Sequence, residues 1–321
     1  MIRDVVDIKP LTEAAGAAQQ VIDDYVRAAA IVWGEGLATT VEPLRAAIRL
    51  GRMDGWVACR GDRGLGLVVV LERAGRGGNA ADGSARLPFV HLLSDGSEEG
   101  LPARLVGHVV ARLRAGGFRH ITSQASLAAH QEAIHQTYVG LDFRALDRVT
   151  MSVALAGELP DCTLSPGYEL DTWNDNYLDQ VAQLFHEANR DTVDALIYPQ
   201  FRTFEETRRM VQAVRDGGAG ALVREASGIV LHGGGLCGAI MLVRPGPGQG
   251  LVVVVAIAPA DQGRGVGRAL LTRALASAWE AGIQTVDLTV TEENRPALAL
   301  YRRSGFSPKR RMTAYVWEAT V

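Results

Sequence analysis

Residues 251–267, LVVVVAIAPADQGRGVG, and the segment after them decide the fold. The eight apolar residues from Leu251 to Ala258 are rich in valine and too few to cross a membrane, which predicts a buried β-strand. Pro259 ends this strand, and glycines follow at 263, 265 and 267. The next stretch, RALLTRALASAWEAG, has apolar residues at helical spacing and ends at Gly282, which predicts a helix. A strand, a glycine loop and a helix start therefore follow one another.

Such a helix start is suited to binding a phosphate, because its first N–H groups lack internal partners and carry partial positive charge. A P-loop requires Lys followed by Ser or Thr after the last glycine, whereas Arg268-Ala269 follows Gly267. A dinucleotide-binding fingerprint requires glycine at position 268 and an acidic residue ending the next strand. The sequence does not meet these requirements, so both of these families are excluded.

Residues 262–267 match Q/R-x-x-G-x-G/A, the acyl-CoA pyrophosphate loop of the GCN5-related N-acetyltransferases (GNATs), which this sequence resembles. The family's second signature, N-x-x-A-x-x-x-Y-x-x-x-G-F, is matched from Asn294 to Phe306 at every fixed position. Local chemistry agrees, because Asn294 suits a helix N-cap, Pro296 the first turn and Gly305 a left-handed exit. The two motifs together make the resemblance strong.

The resemblance implies an α/β (α+β) fold, with a mixed, mostly antiparallel twisted sheet flanked by helices and with splayed central strands. The order of predicted elements repeats after about half of the chain. Subtracting 163 takes Tyr301, Phe306 and Arg311 to the identical residues Tyr138, Phe143 and Arg148, and takes Asn294 to Gln131. We therefore predict two tandem copies: a degenerate GNAT-like domain at 1–156, a linker at 157–167 and a catalytic GNAT domain at 168–321.

The first copy lacks the phosphate-binding chemistry. Subtracting 165 aligns the glycine loop with Ser97-Glu98-Glu99-Gly100-Leu101-Pro102, where one glycine remains. Pro102 has no N–H, and each glutamate would repel a phosphate by roughly 4 kcal/mol at 4 Å before screening. Both glutamates also suit a helix start without any ligand. The first copy is expected to bind acyl-CoA poorly or not at all, with Tyr138 as a packing residue.

The resemblance also implies roles for individual residues of the second copy, with acetyl-CoA or another short acyl-CoA as co-substrate. The diphosphate would contact N–H groups of the glycine loop, and the pantetheine would lie beside the strand end, where the Ile257 N–H would polarise the thioester. Tyr301 lies two helical turns after Asn294 and would protonate the leaving thiolate. The implied cofactor-binding residues are Ile257, Ala258, Gln262, Gly263, Arg264, Gly265, Val266, Gly267, Arg268, Asn294 and Ala297.

The acceptor is expected to be a small-molecule or peptide amine, bound by residues 190–202. Tyr198 and Phe201 would line an apolar pocket, with Asp191 or Asp194 attracting the amine, although the two aromatic residues would equally suit simple packing. The general base stays open, because the predicted strand has no acidic residue. Water-mediated proton removal is one solution, and the side-chain candidates are Glu225, Asp287, Glu292 and Glu293, each of which also suits a surface role.

Composition limits the other function classes. With 321 residues, 47% hydrophobic, and a net charge of −3, the chain has the balance of a globular protein and no electrostatic case for nucleic acid or an anionic membrane. No long apolar run is present, so we expect a cytoplasmic protein. The histidine spacings support no metal site, and the three cysteines suit a reduced compartment. The sequence leaves open whether the chain forms a homodimer.

Two alternatives to an N-acetyltransferase remain. One is a non-catalytic acyl-CoA sensor or scaffold, against which Tyr301 argues. The other is a tandem relative such as a mycothiol synthase, for which the acceptor would be a cysteinyl amino-sugar. A third motif, His232-Gly233-Gly234-Gly235, resembles an esterase oxyanion loop, but the sequence has no G-x-S-x-G elbow. We interpret it as a hairpin turn.

Overall fold

The computed structural model describes residues 5–33, 37–73, 83–93, 99–124, 130–156 and 164–320. It divides into two compact units. The N-terminal unit comprises Met1–Leu146 and Met312–Val321, and the C-terminal unit comprises Asp147–Arg311.

The N-terminal unit is a helix-flanked sheet in the strand order β1-β2-β3-β4-β5. Neighbouring strands are antiparallel except β4 and β5, which are parallel. The elements are β1 (Asp7–Pro10), α1 (Ala15–Trp33), α2 (Leu37–Arg49), β2 (Asp54–Arg60), β3 (Arg63–Arg73), β4 (Ser84–Leu92), α3 (Leu101–Ala115), β5 (His120–Gln124), α4 (Gln131–Gly140) and β6 (Arg144–Ala154), which continues into the other unit.

The C-terminal unit has the strand order β6-β12-β11-β10-β9-β7, with β8 paired to β10. Only β11 and β12 are parallel among its described pairs. The further elements are β7 (Tyr168–Thr172), α5 (Leu178–Asn189), α6 (Asp194–Ile197), α7 (Phe204–Arg215), β8 (Ala221–Leu222), β9 (Gly228–His232), β10 (Gly235–Gly246), β11 (Gln249–Ile257), α8 (Val266–Glu280), β12 (Thr285–Thr291), α9 (Arg295–Arg303) and β13 (Ser307–Glu318).

The last strand of each sequence repeat pairs with a strand of the other repeat. Residues 148–154 of β6 run antiparallel to β12 within the C-terminal unit. Residues 314–318 of β13 run antiparallel to β5 within the N-terminal unit. The boundaries between the compact units therefore lie within β6 and β13. The predicted domains, 1–156 and 168–321, instead follow the sequence repeat, and these bounds stay a prediction. Residues 157–163 of the predicted linker lie outside the described residues.

Backbone geometry supports the proposed equivalence of the two repeats. Gly100 and Gly265 precede α3 and α8 with φ of 79° and 85°, as the offset of 165 requires. After α4 and α9, the left-handed positions are Asp142 at 63° and Gly305 at 88°, which are 163 residues apart. The two repeats thus begin and end these helices with the same backbone turns.

Most predicted elements lie close to the observed ones. Apolar spacing in the sequence predicts helices at 101–115, 178–189 and 204–215 and a strand at 285–291, and α3, α5, α7 and β12 have these bounds. The strand predicted from residue 148 begins earlier, at Arg144. Helix α4 was not predicted as an element, because its amphipathic pattern is weak: its buried residues are Ile134, Thr137 and Tyr138.

Candidate functional site

The central strand β11 has an unpaired edge. It pairs with β12 only from Gln249 to Leu251, and beyond that point the two described strands diverge, as the predicted splay requires. The Ala258 N–H donates to the Cys237 carbonyl of β10 at 2.8 Å. Because alternate residues of a strand bond to opposite edges, the N–H groups of Val255 and Ile257 point towards the opening. A ligand amide has room to add to this edge as a further strand would.

A β-bulge lies in the middle of β11. Met241 of β10 is opposite Val254, whereas the next residue, Leu242, is opposite Val252, so Val253 is the extra residue. Upstream of the bulge, Val252 packs in the core cluster that contains α8. Downstream, Val254 packs in the cluster that contains α5 and α7. The bulge therefore changes which face of the sheet each residue covers and bends β11 where it leaves β12.

The glycine loop has the conformation that the phosphate prediction needs. Gly263 and Gly265 have φ of 75° and 85°, and space is open where a Cβ would lie on either residue. The N–H groups of residues 263–268 have no backbone acceptor among the described residues, and Gly265 caps α8 without a side-chain bond. Unbonded N–H groups thus lie at the positive end of a fifteen-residue helix.

Gly267 is surrounded differently from Gly263 and Gly265. The family resemblance implies that a side chain on Gly267 would occupy the phosphate's space, but a Cβ there would instead lie 3.2 Å from Leu300 and 3.5 Å from Ile257. The absence of a side chain at Gly267 thus allows close packing of α8 against α9 and β11. Only the N–H group of Gly267 is a candidate phosphate contact. The phosphate argument for glycine rests on positions 263 and 265, where φ is positive.

Three side chains fix the start of the loop. Asp261 is buried and accepts hydrogen bonds from the Tyr168 hydroxyl at 2.8 Å and from the His232 ring at 2.9 Å. The Tyr168 and His232 rings are stacked with centroids 4.1 Å apart. This cluster ties residues just before the glycine loop to β7 and β9. His232 also begins the hairpin turn predicted for the HGGG motif, since Gly233 and Gly234 connect β9 to β10.

Helix α9 places two predicted residues on one face. The Asn294 carbonyl oxygen accepts from the Ala297 N–H at 3.3 Å, which confirms the predicted cap. Its amide nitrogen donates to Asp194 at 3.4 Å, so both ends of the side chain contact the protein. Tyr301 is 8% exposed, and its hydroxyl has no hydrogen-bond partner among the described residues. Burial, together with the Asp194 carboxylate, raises the pKa of Tyr301.

A cavity of about 330 Å³ joins these features. Its walls come from the splayed strands, α9 and the segment predicted to bind the acceptor. The lining residues are Leu251, Val252, Val253, Val254 and Val255 of β11, Thr289 and Val290 of β12, Asn294, Ala297 and Tyr301, with Arg148, Asn189, Asp194, Tyr198, Gln200, Phe201 and Met210. The unpaired edge of β11, the phenol and a carboxylate thus line the same cavity.

The structure separates the two aspartates between which the sequence did not decide. Asp194 lines the cavity and accepts a hydrogen bond from the Thr291 hydroxyl at 2.6 Å. Asp191 is a surface residue, 86% exposed and 3.2 Å from Arg190. Tyr198 and Phe201 do line the cavity, and Phe201 also packs in the core beneath it. The pocket interpretation and the packing interpretation of these aromatic residues therefore both hold.

Sequence reasoning did not include Arg148 in the site. This residue lies on β6 directly opposite Thr291 of β12, and its guanidinium donates to the Tyr198 hydroxyl at 2.7 Å. Arg148 is 3% exposed although it carries a charge. An arginine at the start of the mostly apolar strand segment RVTMSVAL was the available signal, since a buried charge in a strand points to a specific contact.

The model of the Acetyltransferase (GNAT) family matches residues 179–306, which contain both motifs and most of the cavity. This segment resembles a GNAT domain. A mycothiol acetyltransferase from Propionibacterium freudenreichii subsp. shermanii is 30% identical over 161 residues, 49% of this chain and 49% of that relative. One from Beutenbergia cavernae is 52% identical over 50 residues, 16% and 17% of the two chains. The chain therefore matches about half the length of the first relative and less of the second.

Solved GNAT structures show the same fold over nearly the whole chain. A GCN5-related N-acetyltransferase from Sphaerobacter thermophilus has a TM-score of 0.71 at 18% identity, covering 99% of this chain and 97% of its own. A tandem GNAT protein from the clavulanic acid biosynthesis pathway has a TM-score of 0.61 at 18% identity and 99% coverage of both chains. The predicted fold class, with two tandem GNAT-like halves, is confirmed.

The side-chain candidates for a general base lie outside the cavity lining. Asp287 accepts from Ser152 and from Lys309, and Glu292 is 3.4 Å from Arg311. Glu225 lies in a short 3₁₀ turn, and Glu293 is likewise outside the lining. Asp194 is thus the cavity carboxylate among the described residues.

Other chemistries have little support in the described residues. Cys237 is buried, and burial, together with the Asp261 charge, raises its pKa to about 11, which leaves a poor nucleophile. Cys162 lies outside the described residues. No cluster of His, Cys, Asp or Glu in the described ranges has a metal-binding arrangement. Of the helices described, none combines the length and the apolar character needed to cross a bilayer.

Proposed function

We propose that the chain is an acyl-CoA-dependent N-acyltransferase that transfers acetyl from acetyl-CoA to a primary amine by direct attack within a ternary complex. The observation that carries this proposal is the cavity in which the unpaired edge of β11, Tyr301 and Asp194 meet. The unbonded N–H groups of the glycine loop support a diphosphate at one end of the same opening. A cytoplasmic setting, with acetyl-CoA as co-substrate, is part of this proposal.

The reaction requires two proton movements. The amine nitrogen attacks the thioester carbon, a C–N bond forms and the C–S bond breaks. Starting from the neutral amine, the nitrogen loses one proton, for which Asp194 is the proposed acceptor, directly or through water; an acceptor that arrives as an ammonium first gives up one proton to solvent. The thiolate gains one proton, for which Tyr301 is the proposed donor. The products are an amide and the free thiol of CoA, and solvent restores both side chains to their starting protonation states.

Burial keeps Tyr301 in its protonated form. Its raised pKa keeps the phenol protonated across the neutral pH range, so the proton is present when the thiolate forms. Tyr301 lines the cavity and its hydroxyl makes no competing hydrogen bond among the described residues. The phenol is therefore available to a sulfur atom that enters between β11 and β12.

The thioester carbonyl requires an N–H donor on β11. Ile257 was predicted for this role, and its N–H points towards the opening. Val255 has the same orientation and also lines the cavity with Tyr301, whereas Ile257 does not. We propose that the Val255 N–H polarises the carbonyl and that the Ile257 N–H binds the pantetheine. A fixed donor at the developing oxyanion is typically worth a factor of about 100 or more in rate.

Two alternatives differ from this proposal in measurable ways. The similar proteins are named mycothiol acetyltransferases, which favours acetyl transfer to a mycothiol precursor as the second candidate. An acyl-CoA sensor would bind acetyl-CoA and release no CoA with any amine. An acceptor screen that monitors free CoA, with a cysteinyl amino-sugar among polyamines, aminoglycosides, amino acids and peptides, distinguishes these possibilities.

The sharpest variant for this proposal is Asp194→Asn. It removes the charge that binds the ammonium and accepts a proton, and we expect kcat/KM for every amine acceptor to fall by about 100-fold. Acetyl-CoA affinity, measured by calorimetry, should change little. Asp191→Asn is the matched control, because it removes a carboxylate on the same segment that is 86% exposed. Equal turnover in the wild-type protein and Asp194→Asn would show that the assigned carboxylate is wrong.

A further inference from the structure

Arg148 is a charged residue inside the cavity without a charged partner. It is 3% exposed, and among the described residues it forms no ion pair. One guanidinium nitrogen donates to the Tyr198 hydroxyl at 2.7 Å, and the guanidinium carbon lies 5.0 Å from the centre of that ring. Its Nε is buried and has no hydrogen-bond partner. A buried cation with an unused donor is costly unless a ligand supplies the acceptor.

The neighbouring side chains place Arg148 beside the proposed amine site. Arg148 and Thr291 are directly opposite one another on β6 and β12, so their side chains leave the same face about 5 Å apart. The Thr291 hydroxyl in turn donates to Asp194 at 2.6 Å. The described cavity lining therefore includes one cation, which lies opposite Thr291, and one carboxylate, which accepts from Thr291, and the two are not paired with each other.

The exposed counterpart of Arg148 in the second repeat shows that this burial is specific. Arg311 lies 163 residues later, is 72% exposed and is 3.4 Å from Glu292. Arg148 lies in the cavity because its strand, β6, pairs with β12. The same residue type is thus a solvated surface residue in one repeat and a buried cavity residue in the other.

From this arrangement we infer that the acceptor is an amino acid, whose ammonium group is bound by Asp194 and whose carboxylate is bound by Arg148. This inference rests on the proposed function and specifies its substrate class. Arginine presents several N–H donors in a planar fork that suits a carboxylate. The acceptor amine then attacks acetyl-CoA as described, while the Arg148 contact fixes the orientation of its carboxylate.

The test compares amino acids with their carboxamides. Purified full-length protein is assayed for CoA release with the common α-amino acids, each beside its carboxamide, and L-methionine is also compared with 3-(methylthio)propylamine. We expect wild type to prefer the acid over the amide, and Arg148→Gln to reduce that preference by about 10- to 100-fold. The intrinsic reactivities of the amines cancel when the ratio is compared between variants.

Arg311→Gln is the matched control and should keep the wild-type preference. Arg148→Lys keeps the charge without the fork and should give an intermediate ratio. Thermal unfolding and acetyl-CoA titration establish that each variant is folded. An unchanged ratio in folded Arg148→Gln, or a wild-type protein that acetylates amides and simple amines but no amino acid, overturns the inference and leaves the proposed function standing. If wild type acetylates no amine in the panel, the proposed function falls as well.

Discussion

The two repeats build the same helix start and use it differently. Gly100 and Gly265 both adopt a left-handed conformation immediately before α3 and α8. Pro102 lies in the first turn of α3, where it supplies no N–H, whereas Val266-Gly267 opens α8 with N–H groups that the described backbone leaves unbonded. The shared turn is therefore a property of the fold, and the capacity to bind an anion depends on the residues after the turn.

The equivalent tyrosines differ in the same way. Tyr138 is fully buried, its hydroxyl donates to Ser123 at 2.7 Å, and its ring stacks on Tyr315 with centroids 4.3 Å apart. Tyr301 lines a cavity and has a hydroxyl with no partner among the described residues. Sequence identity at this position therefore carries no function by itself, since the neighbours of the hydroxyl decide its chemistry. The expected packing role of Tyr138 agrees with these contacts.

The largest expected effect is at the helix starts. Gly265→Glu places a negative charge beside the proposed diphosphate, and a like-charge contact costs roughly 4 kcal/mol before screening. We expect acetyl-CoA affinity to fall by at least about 100-fold. Calorimetry should give one site per chain in wild type and none in this variant.

Gly100→Glu is the control for that experiment, because it introduces the same residue at the same backbone conformation in the other repeat. It should leave acetyl-CoA affinity unchanged. Two equal sites in the wild-type chain would contradict the distinction drawn between the repeats, and so would equal loss of affinity in both variants.

The tyrosines provide the next comparison. Tyr301→Phe removes the proposed acid, so kcat should fall by about 100-fold while acetyl-CoA affinity is retained. Tyr138→Phe removes a buried hydrogen bond to Ser123 and should lower the free energy of unfolding by about 1 kcal/mol with turnover intact. Steady-state kinetics and thermal unfolding of both variants measure the difference. Unchanged turnover in Tyr301→Phe would remove the acid assignment.

The smallest effect is expected at the helix exits. Gly305 has φ of 88°, and a Cβ there would make only ordinary contact, 3.6 Å from Val153. Gly305→Ala should therefore lower stability by about 1–2 kcal/mol through backbone strain alone. Asp142 already tolerates φ of 63°, and Asp142→Gly should stay within about 0.5 kcal/mol of wild type because relieved strain offsets added chain entropy. Chemical denaturation measures both, and a larger loss in Asp142→Gly would reverse the comparison.

The local part of the fold was predictable from sequence. Regular apolar spacing gave the bounds of α3, α5 and α7, and the glycine loop and the Asn294 motif predicted α8 and α9. The splay of β11 and β12 was implied by the family resemblance. The assignments of Tyr301 and the cofactor-binding residues stay predictions, although Asn294, Ala297 and Tyr301 line one cavity. The helix bounds and the two motifs depend on residues close in sequence, so one sequence was enough to predict them.

The remaining part of the site depends on long-range pairing. Strands β6 and β13 have similar apolar patterns, and no local signal states which sheet each one joins. The charge of Arg148 was a signal in the sequence, but its place in the cavity depends on a pairing with Thr291, which is 143 residues away. The choice of Asp194 over Asp191 depended on the short helix α6, which turns one carboxylate inwards and leaves the other in solvent.

The exchange of last strands has a consequence for how this protein is divided in the laboratory. A fragment cut at the sequence repeat, beginning near residue 168, keeps the glycine loop and Tyr301 but loses β6, the strand that pairs with β12 and carries Arg148. The edge of β12 that β6 covers would then be exposed, and a strand of a second fragment would be able to pair with it. Half-length versions should accordingly be prone to self-association.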